Sequence, residues 1–304
     1  MDAQRRDLLA MSGLTLIGTI SIPVHQASAS KRSNNTGDSL DTVGSLSVSA
    51  KAIDAIGSAG YPSLIERMHT AGQIDVTSIE GTTGIRSDGT TTGLFTATGS
   101  FDPVAVRSAL RAEGIESTVV PDASDESGHE RMLLSTYPLA IEVKSSTMII
   151  ARDRSAEEAV SLLVDNPTSA ATIASPDTEF DQRLSGALVG TVSLGSIGRS
   201  RLIDRLTRIS EPVATVIETA QSIGIEVSID DNTATAEYGA IVDPTAISVS
   251  SVRASIESLC SDSAVEFTSV ELSEQILWTT LSIPVTAAVE THSKLTDSVG
   301  TEKS

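Results

Sequence analysis

Histidines, cysteines and paired carboxylates are the side chains that most often do acid–base or metal chemistry, and this chain offers few usable arrangements of them. Its four histidines, His25, His69, His129 and His292, are scattered, with no H-E-x-x-H and no two within a helical turn. One cysteine, Cys260, rules out a thiolate zinc site and an intramolecular disulfide. Cys260 is expected on the buried side of a helix, as a small core residue. The densest polar cluster holds Asp122, Asp125, Glu126 and His129. Its carboxylates suit a hard cation such as calcium, but in a chain with forty acidic residues such a run reads first as a solvated loop. No catalytic residue, cofactor or metal site is assigned, and Asp122, Asp125 and Glu126 are where a cation would be sought.

Phosphate and nucleophile motifs fare no better. Gly84 to Gly89 has the glycine spacing of a phosphate loop, but Thr90 follows where the loop needs lysine. Gly195-Ser-Ile-Gly198-Arg199 precedes a helix, whose free N–H groups could meet an anion; a plain strand-to-helix turn explains it equally. Gly190-Thr-Val-Ser193-Leu-Gly195 is one residue too long for a nucleophile elbow. Asp230-Asp231-Asn232 lacks the glycine and glutamate of a calcium loop and reads as a turn. The single tryptophan, Trp278, sits in the apolar run Ile276–Ile283 and is expected in the core. Asp102 and Asp243, each followed by proline, are expected to cap helices.

The elements that would position these residues alternate along the chain. Leu64, Ile65 and Met68 suggest a short helix. Segments 74–85 and 90–101 read as a hairpin about Ser87-Asp88-Gly89, with Asp-Gly as the turn signal. A helix from Pro103 to Glu113 places Val106, Ala109 and Leu110 on one face. Strands follow at 115–120, 132–136, 139–143 and 148–151, and Ser155-x-x-Glu158 forms a capping box opening a helix to Asp165. Later come a helix at 178–184, a strand at 187–194, one long helix from Arg199 to Ile223, and a hairpin of 225–229 with 234–242. A helix near 249–259 and strands 265–272 and 275–283 complete the order.

Both halves therefore run hairpin, Asp-Pro, helix, strand, strand, and both carry a Val-Arg pair in the helix (Val106-Arg107, Val252-Arg253). The expected fold is α+β: two similar halves, duplicated from one unit, packed as mixed or antiparallel sheets with helices on one face. The expected division is 1–29 a signal peptide, 30–39 a flexible linker, 40–175 the first half, 176–289 the second, and 290–304 a polar tail.

Composition narrows the setting. Forty acidic residues against twenty-one basic ones leave a net charge of −19, with five lysines to sixteen arginines and few aromatics. That charge argues against nucleic-acid binding, which needs cations on phosphates, and against docking on anionic lipid. It would repel itself in dilute buffer, whereas molar salt shortens the screening length to about 3 Å.

Near the start, Arg5-Arg6-Asp7-Leu8-Leu9 precedes an apolar stretch from Gly13 to Val24 and then Ala27-Ser28-Ala29. This is the order of charged region, apolar region and small-residue cleavage site. The apolar stretch spans about a dozen residues, where a membrane helix needs roughly 18 or more. The five residues from Arg5 resemble a twin-arginine export motif. With the lysine-poor, acid-rich composition, the chain resembles secreted proteins of halophilic archaea that carry such signals. The resemblance implies export in the folded state; the region order places cleavage after Ala29, and the short apolar stretch argues against a stable membrane anchor afterwards. Asn34-Asn-Thr36 is a glycosylation sequon in the exposed N-terminal stretch. The function expected is a secreted or surface-associated, salt-adapted binding or structural protein, with a cell-envelope protein as a possible partner. The alternative is a secreted hydrolase whose site is assembled from scattered Ser, Asp and Glu.

Overall fold

The computed structural model describes residues 39–56, 74–112, 115–120, 130–134, 138–165, 180, 183–205, 210–261 and 264–285. They form an α+β protein built on one 12-stranded sheet in which every neighbouring pair is antiparallel. In chain order the elements are β1 (Leu40–Val48), α1 (Ala50–Ile56), β2 (Ile74–Arg86), β3 (Thr91–Phe101), α2 (Pro103–Ala112), β4 (Ser117–Val119), β5 (Glu130–Leu134), β6 (Leu139–Val143) and β7 (Thr147–Arg152). They continue as α3 (Ala156–Asp165), β8 (Leu188–Ser193), α4 (Ser196–Arg205), α5 (Glu211–Thr219), β9 (Ser222–Asp230), β10 (Thr233–Ile241), α6 (Val249–Cys260), β11 (Glu266–Ser273) and β12 (Ile276–Pro284). Across the sheet the order is β11-β12-β10-β9-β8-β1-β2-β3-β7-β6-β5-β4.

Local chemistry accounts for most of these boundaries. At the β2–β3 turn Asp88 accepts from Thr90 N and Oγ1, and Gly89 takes φ +81°, a conformation that costs glycine little. Asp102 accepts from Val104 N, and α2 starts at Pro103 with Val106, Ala109 and Leu110 buried on one stripe. Ser155 Oγ accepts from Glu158 N and opens α3.

One large core holds Ala52 and Ile53 of α1, Val106 and Leu110 of α2, Leu202 of α4, Val213 and Ile217 of α5, and Val252 and Ile256 of α6. These pack on one set of alternating strand positions, among them Leu46, Ile79, Met148, Ile150 and Ile225. Helix α3 departs from the expectation of helices on one face. Its Ala159 and Leu163 cluster with Leu94, Ala140, Ile149 and Ala151, the alternate positions of β3, β6 and β7, so α3 covers the other face. Phe180, Leu184, Ile241 and Trp278 form a third cluster, on the alternate positions of β10 and β12. Where β1 meets β8 that face is polar instead, and Ser45 Oγ lies 2.8 Å from Thr191 Oγ1.

Two further expectations are corrected. The long helix of 199–223 is two helices, and Ile223 belongs to β9. Pro212 lies in the first turn of α5, where a missing N–H costs nothing. Asp243 does not open α6: its carboxylate accepts from Thr245 N and Oγ1 in a turn, and the helix begins after Ser248, whose side chain accepts from Ser251 N. Finally, β1 and α1 carry no expectation from the sequence. A strand reading LDTVGSLSV has too few large apolar side chains to announce a central position.

Candidate functional site

An apolar space lies between the sheet and helices α4, α5 and α6. Each helix brings an apolar stripe. Val213, Val216 and Ile217 recur at helical spacing on α5, Val252 and Ile256 do so on α6, and Leu202 projects from α4. The floor is Ile223 of β9, Tyr238 and Ala240 of β10, and Leu277, Thr279 and Leu281 of β12. Of the β10 side chains turned toward the helices, Tyr238 and Ala240 border the space, and Ala240 stands where a longer side chain would fill it.

The space measures about 80 Å³, counted as room for the centre of a water molecule. Counting all unfilled space within the same boundary, open solvent included, the figure is about 760 Å³. One water needs only about 10–15 Å³ by the first measure, and a cavity lined by Leu and Ile stays dry. Among the described residues no charged side chain lines it; its polar side chains are Tyr238 and Thr279, directly opposite each other in the β10–β12 ladder. Such a site offers dispersion and removal from water to an apolar guest. It offers nothing to a free ion.

The ionisable groups are gathered elsewhere and are matched to partners. Asp41 of β1 reaches the start of α4 and accepts from the backbone N–H groups of Ser196, Ile197 and Gly198 and from Ser196 Oγ. Thr42 Oγ1 accepts from Gly195 N. Burial pushes the Asp41 pKa up, but hydrogen bonds from Thr42, Ser196, Gly198 and Ile197 outweigh it and hold the carboxyl below its ordinary value. The anion at the Gly195–Arg199 turn is therefore the chain's own. Gly195 is required there, because a Cβ would fall on the Asp41 carbonyl oxygen.

Two buried ion pairs lie toward the far end of the sheet. Arg86 donates in bidentate fashion to Asp153, at 2.8 and 2.9 Å, and Thr92 Oγ1 adds a third donor. Glu142, 3% exposed, takes Arg131 on one oxygen and Lys144 on the other. Burial pushes both carboxyls up, and their hydrogen-bonded cations hold both below the usual range. Arg183 sits 4.1 Å over the Trp278 ring and pairs with Glu237 and Glu271. These arrangements close on themselves and read as structure.

Arg5, Arg6, Ala27, Ala29, Asn34, Asp122, Asp125 and Glu126 lie outside the described residues, as do His25, His69, His129 and His292. Cys260 and Trp278 are buried, as expected, and burial raises the Cys260 thiol pKa. Gly84–Gly89 stays within the β2–β3 hairpin, and Ser193 Oγ faces Ser222 Oγ at 3.3 Å. No group of three or more His, Cys, Asp or Glu suited to a metal occurs among the described residues. The cavity escaped the sequence reading. Its one local trace is a small residue, Ala240, on the strand face beneath the branched side chains of α5 and α6.

No family model matches the chain, and no curated protein matches it. Among solved structures its fold is similar to that of TP0453. Crystal form III gives a TM-score of 0.54 at 11% identity, over 84% of this chain and 95% of that one. Crystal form I gives 0.50 at 11% identity, over 84% and 94%. At such identity the likeness is one of fold alone, and function must be argued from the site.

Proposed function

We propose that this chain is an exported, salt-adapted binding protein that takes up a small apolar ligand, or the apolar chain of a larger one, between its sheet and helices α4–α6. The cavity carries the reading: unfilled space in an otherwise close-packed core costs stability, roughly 24 cal/mol per Å³ in measured cases, and a ligand that fills it recovers that cost. The Arg5-Arg6 motif and the Ala27-Ser28-Ala29 cleavage signal support export, and the acidic surface supports work in strong salt. Secretion leaves the mature chain without a stable membrane anchor on this reading, and a cell-envelope protein remains the partner class to seek in a pull-down.

The two halves are proposed to descend from one duplicated unit. Strands β8-β9-β10-β12-β11 repeat the order of β1-β2-β3-β7-β6, each with a helix after its first and third strands, and the antiparallel β1–β8 pair joins the copies. The β4–β5 hairpin is then an insertion confined to the first copy.

The test is chemical. The full chain, purified in molar salt and extracted with organic solvent, is expected to release an apolar compound in near-stoichiometric yield by mass spectrometry. Ala240→Leu, which extends a side chain into the cavity, is expected to lose it while keeping the near-ultraviolet signal of Trp278. No compound, or equal yield from the variant, overturns the reading.

A further inference from the structure

Each half of the chain carries the same hairpin, and one of the two has a strand along its outer side. β6 turns into β7 through Ser145-Ser146, and β11 turns into β12 through Glu274-Gln275. Counted back from these turns, Ile141-Glu142-Val143 stands where Val270-Glu271-Leu272 stands. The pairing agrees: Glu142 lies opposite Ile149 and Glu271 opposite Trp278, each three residues from its turn. This match is one of register and needs no common descent.

In the first half, β5 runs along β6 with Met132 opposite Ile141, Arg131 opposite Glu142 and Glu130 opposite Val143. Arg131 donates to Glu142 Oε2 at 2.7 Å, and Arg107 of α2 donates to Glu130 at 2.8 Å. In the second half, β11 ends the sheet, and among the described residues no strand runs along its outer side. Antiparallel pairing alternates, so the backbone groups of Val270 and Leu272 face outward while those of Glu271 face β12. The Val270 carbonyl accepts instead from Arg253 of α6, at 3.0 Å. Arg253 follows buried Val252 as Arg107 follows buried Val106. Glu271 is more than half exposed and meets Arg183 through Oε1; among the described residues nothing meets its other oxygen.

We propose that the β11 edge binds an extended segment of a separate protein as an added antiparallel strand, in the register that β5 takes on β6. The segment carries an acidic residue opposite Leu272, for Arg253 to meet, a basic residue opposite Glu271 and an apolar residue opposite Val270. Main-chain bonds to Val270 and Leu272 supply affinity, and the two charges select the sequence. A second copy of this chain does not supply the pattern through its edges, since neither β11 nor β4 holds a basic residue.

Two end-blocked peptides test this on the full chain in molar KCl: Glu-Arg-Met-Leu-Leu, the sequence of β5, and Glu-Glu-Met-Leu-Leu. The readout is amide hydrogen exchange at Val270 and Leu272, followed by NMR. In the chain alone both amides are expected to exchange freely, and the arginine peptide at millimolar concentration is expected to slow them saturably. The second peptide is expected to bind about fivefold more weakly, because a like charge then faces Glu271. Glu271→Lys is expected to reverse that preference, with the amides of β9 and β10 still protected as evidence of an intact fold.

Slow exchange of both amides in the chain alone would mean that the edge is already covered, and would overturn the proposal. Protection by neither peptide, or a preference unmoved by Glu271→Lys, would overturn it as well. Protection that grows with chain concentration and needs no peptide would make the occupant a second copy, against a separate partner. The apolar cavity takes no part in these measurements, so their failure leaves that site standing.

Discussion

Asp41 does more than its position on a strand suggests. Its carboxylate stands where an exogenous anion would sit at the start of α4, and it links the first strand to a helix more than 150 residues later. Asp41→Ala is expected to cost about 1–2 kcal/mol, the upper part of the range for capping residues, measured by urea unfolding at high salt. The pH dependence has a definite sign. The folded pKa of Asp41 is lowered, so its contribution is full above the ordinary carboxylate value and is lost as pH falls through the lowered one. Wild type and Asp41→Asn should therefore differ at neutral pH and converge in strong acid. Curves that stay parallel to about pH 2, below the ordinary aspartate range, would show that the carboxylate does not hold the helix. The buried pairs Arg86–Asp153 and Glu142–Arg131 act in the same acid range and steepen the loss common to both proteins.

At the scale of elements, the helices divide by which set of strand positions they cover. Five pack on the broad core, whereas α3 sits alone over Leu94, Ala140, Ile149 and Ala151. Leu163, 1% exposed, is the residue that pins it. Leu163→Ala is expected to destabilise the protein by about 2–5 kcal/mol, as large-to-small core changes do, while binding at the cavity is kept, because sheet and α4–α6 are untouched. Loss of binding alongside stability would mean that the two faces are coupled more tightly than their separate clusters indicate. The split of the expected long helix into α4 and α5 matters for the same reason. Two short helices can each set an apolar stripe against the sheet at its own angle, Leu202 from α4 and Val213, Val216 and Ile217 from α5.

For the whole molecule the dominant fact is charge. A net −19 on 304 residues stores repulsion that dilute buffer does not screen. Melting temperature is expected to rise by roughly 5–15 °C between about 0.1 M and 2 M KCl, which corresponds to a few kcal/mol for a protein of this size; near-ultraviolet circular dichroism of the buried Trp278 reports it. A flat or falling profile would count against salt adaptation. An open sheet of twelve antiparallel strands also has two edges, β11 and β4. Both are modest targets for unwanted pairing: β4 is three residues long, and β11 carries Glu266 and Glu271.

Local information was enough for the hairpins, the Asp102-Pro103 start of α2, the Ser155 cap of α3, and the burial of Cys260 and Trp278, because turns, caps and apolar runs are decided within a few residues. The α+β class followed from the same signals. Tertiary structure alone decided what depends on pairing across the chain. It joined both halves into one sheet through β1 and β8, made Asp41 the anion of a distant helix, moved the start of α6 from Asp243 to Ser248, and set Ala240 of β10 beneath branched side chains of α5 and α6. A cavity has no sequence motif, since it is defined by the volume that two distant surfaces fail to fill.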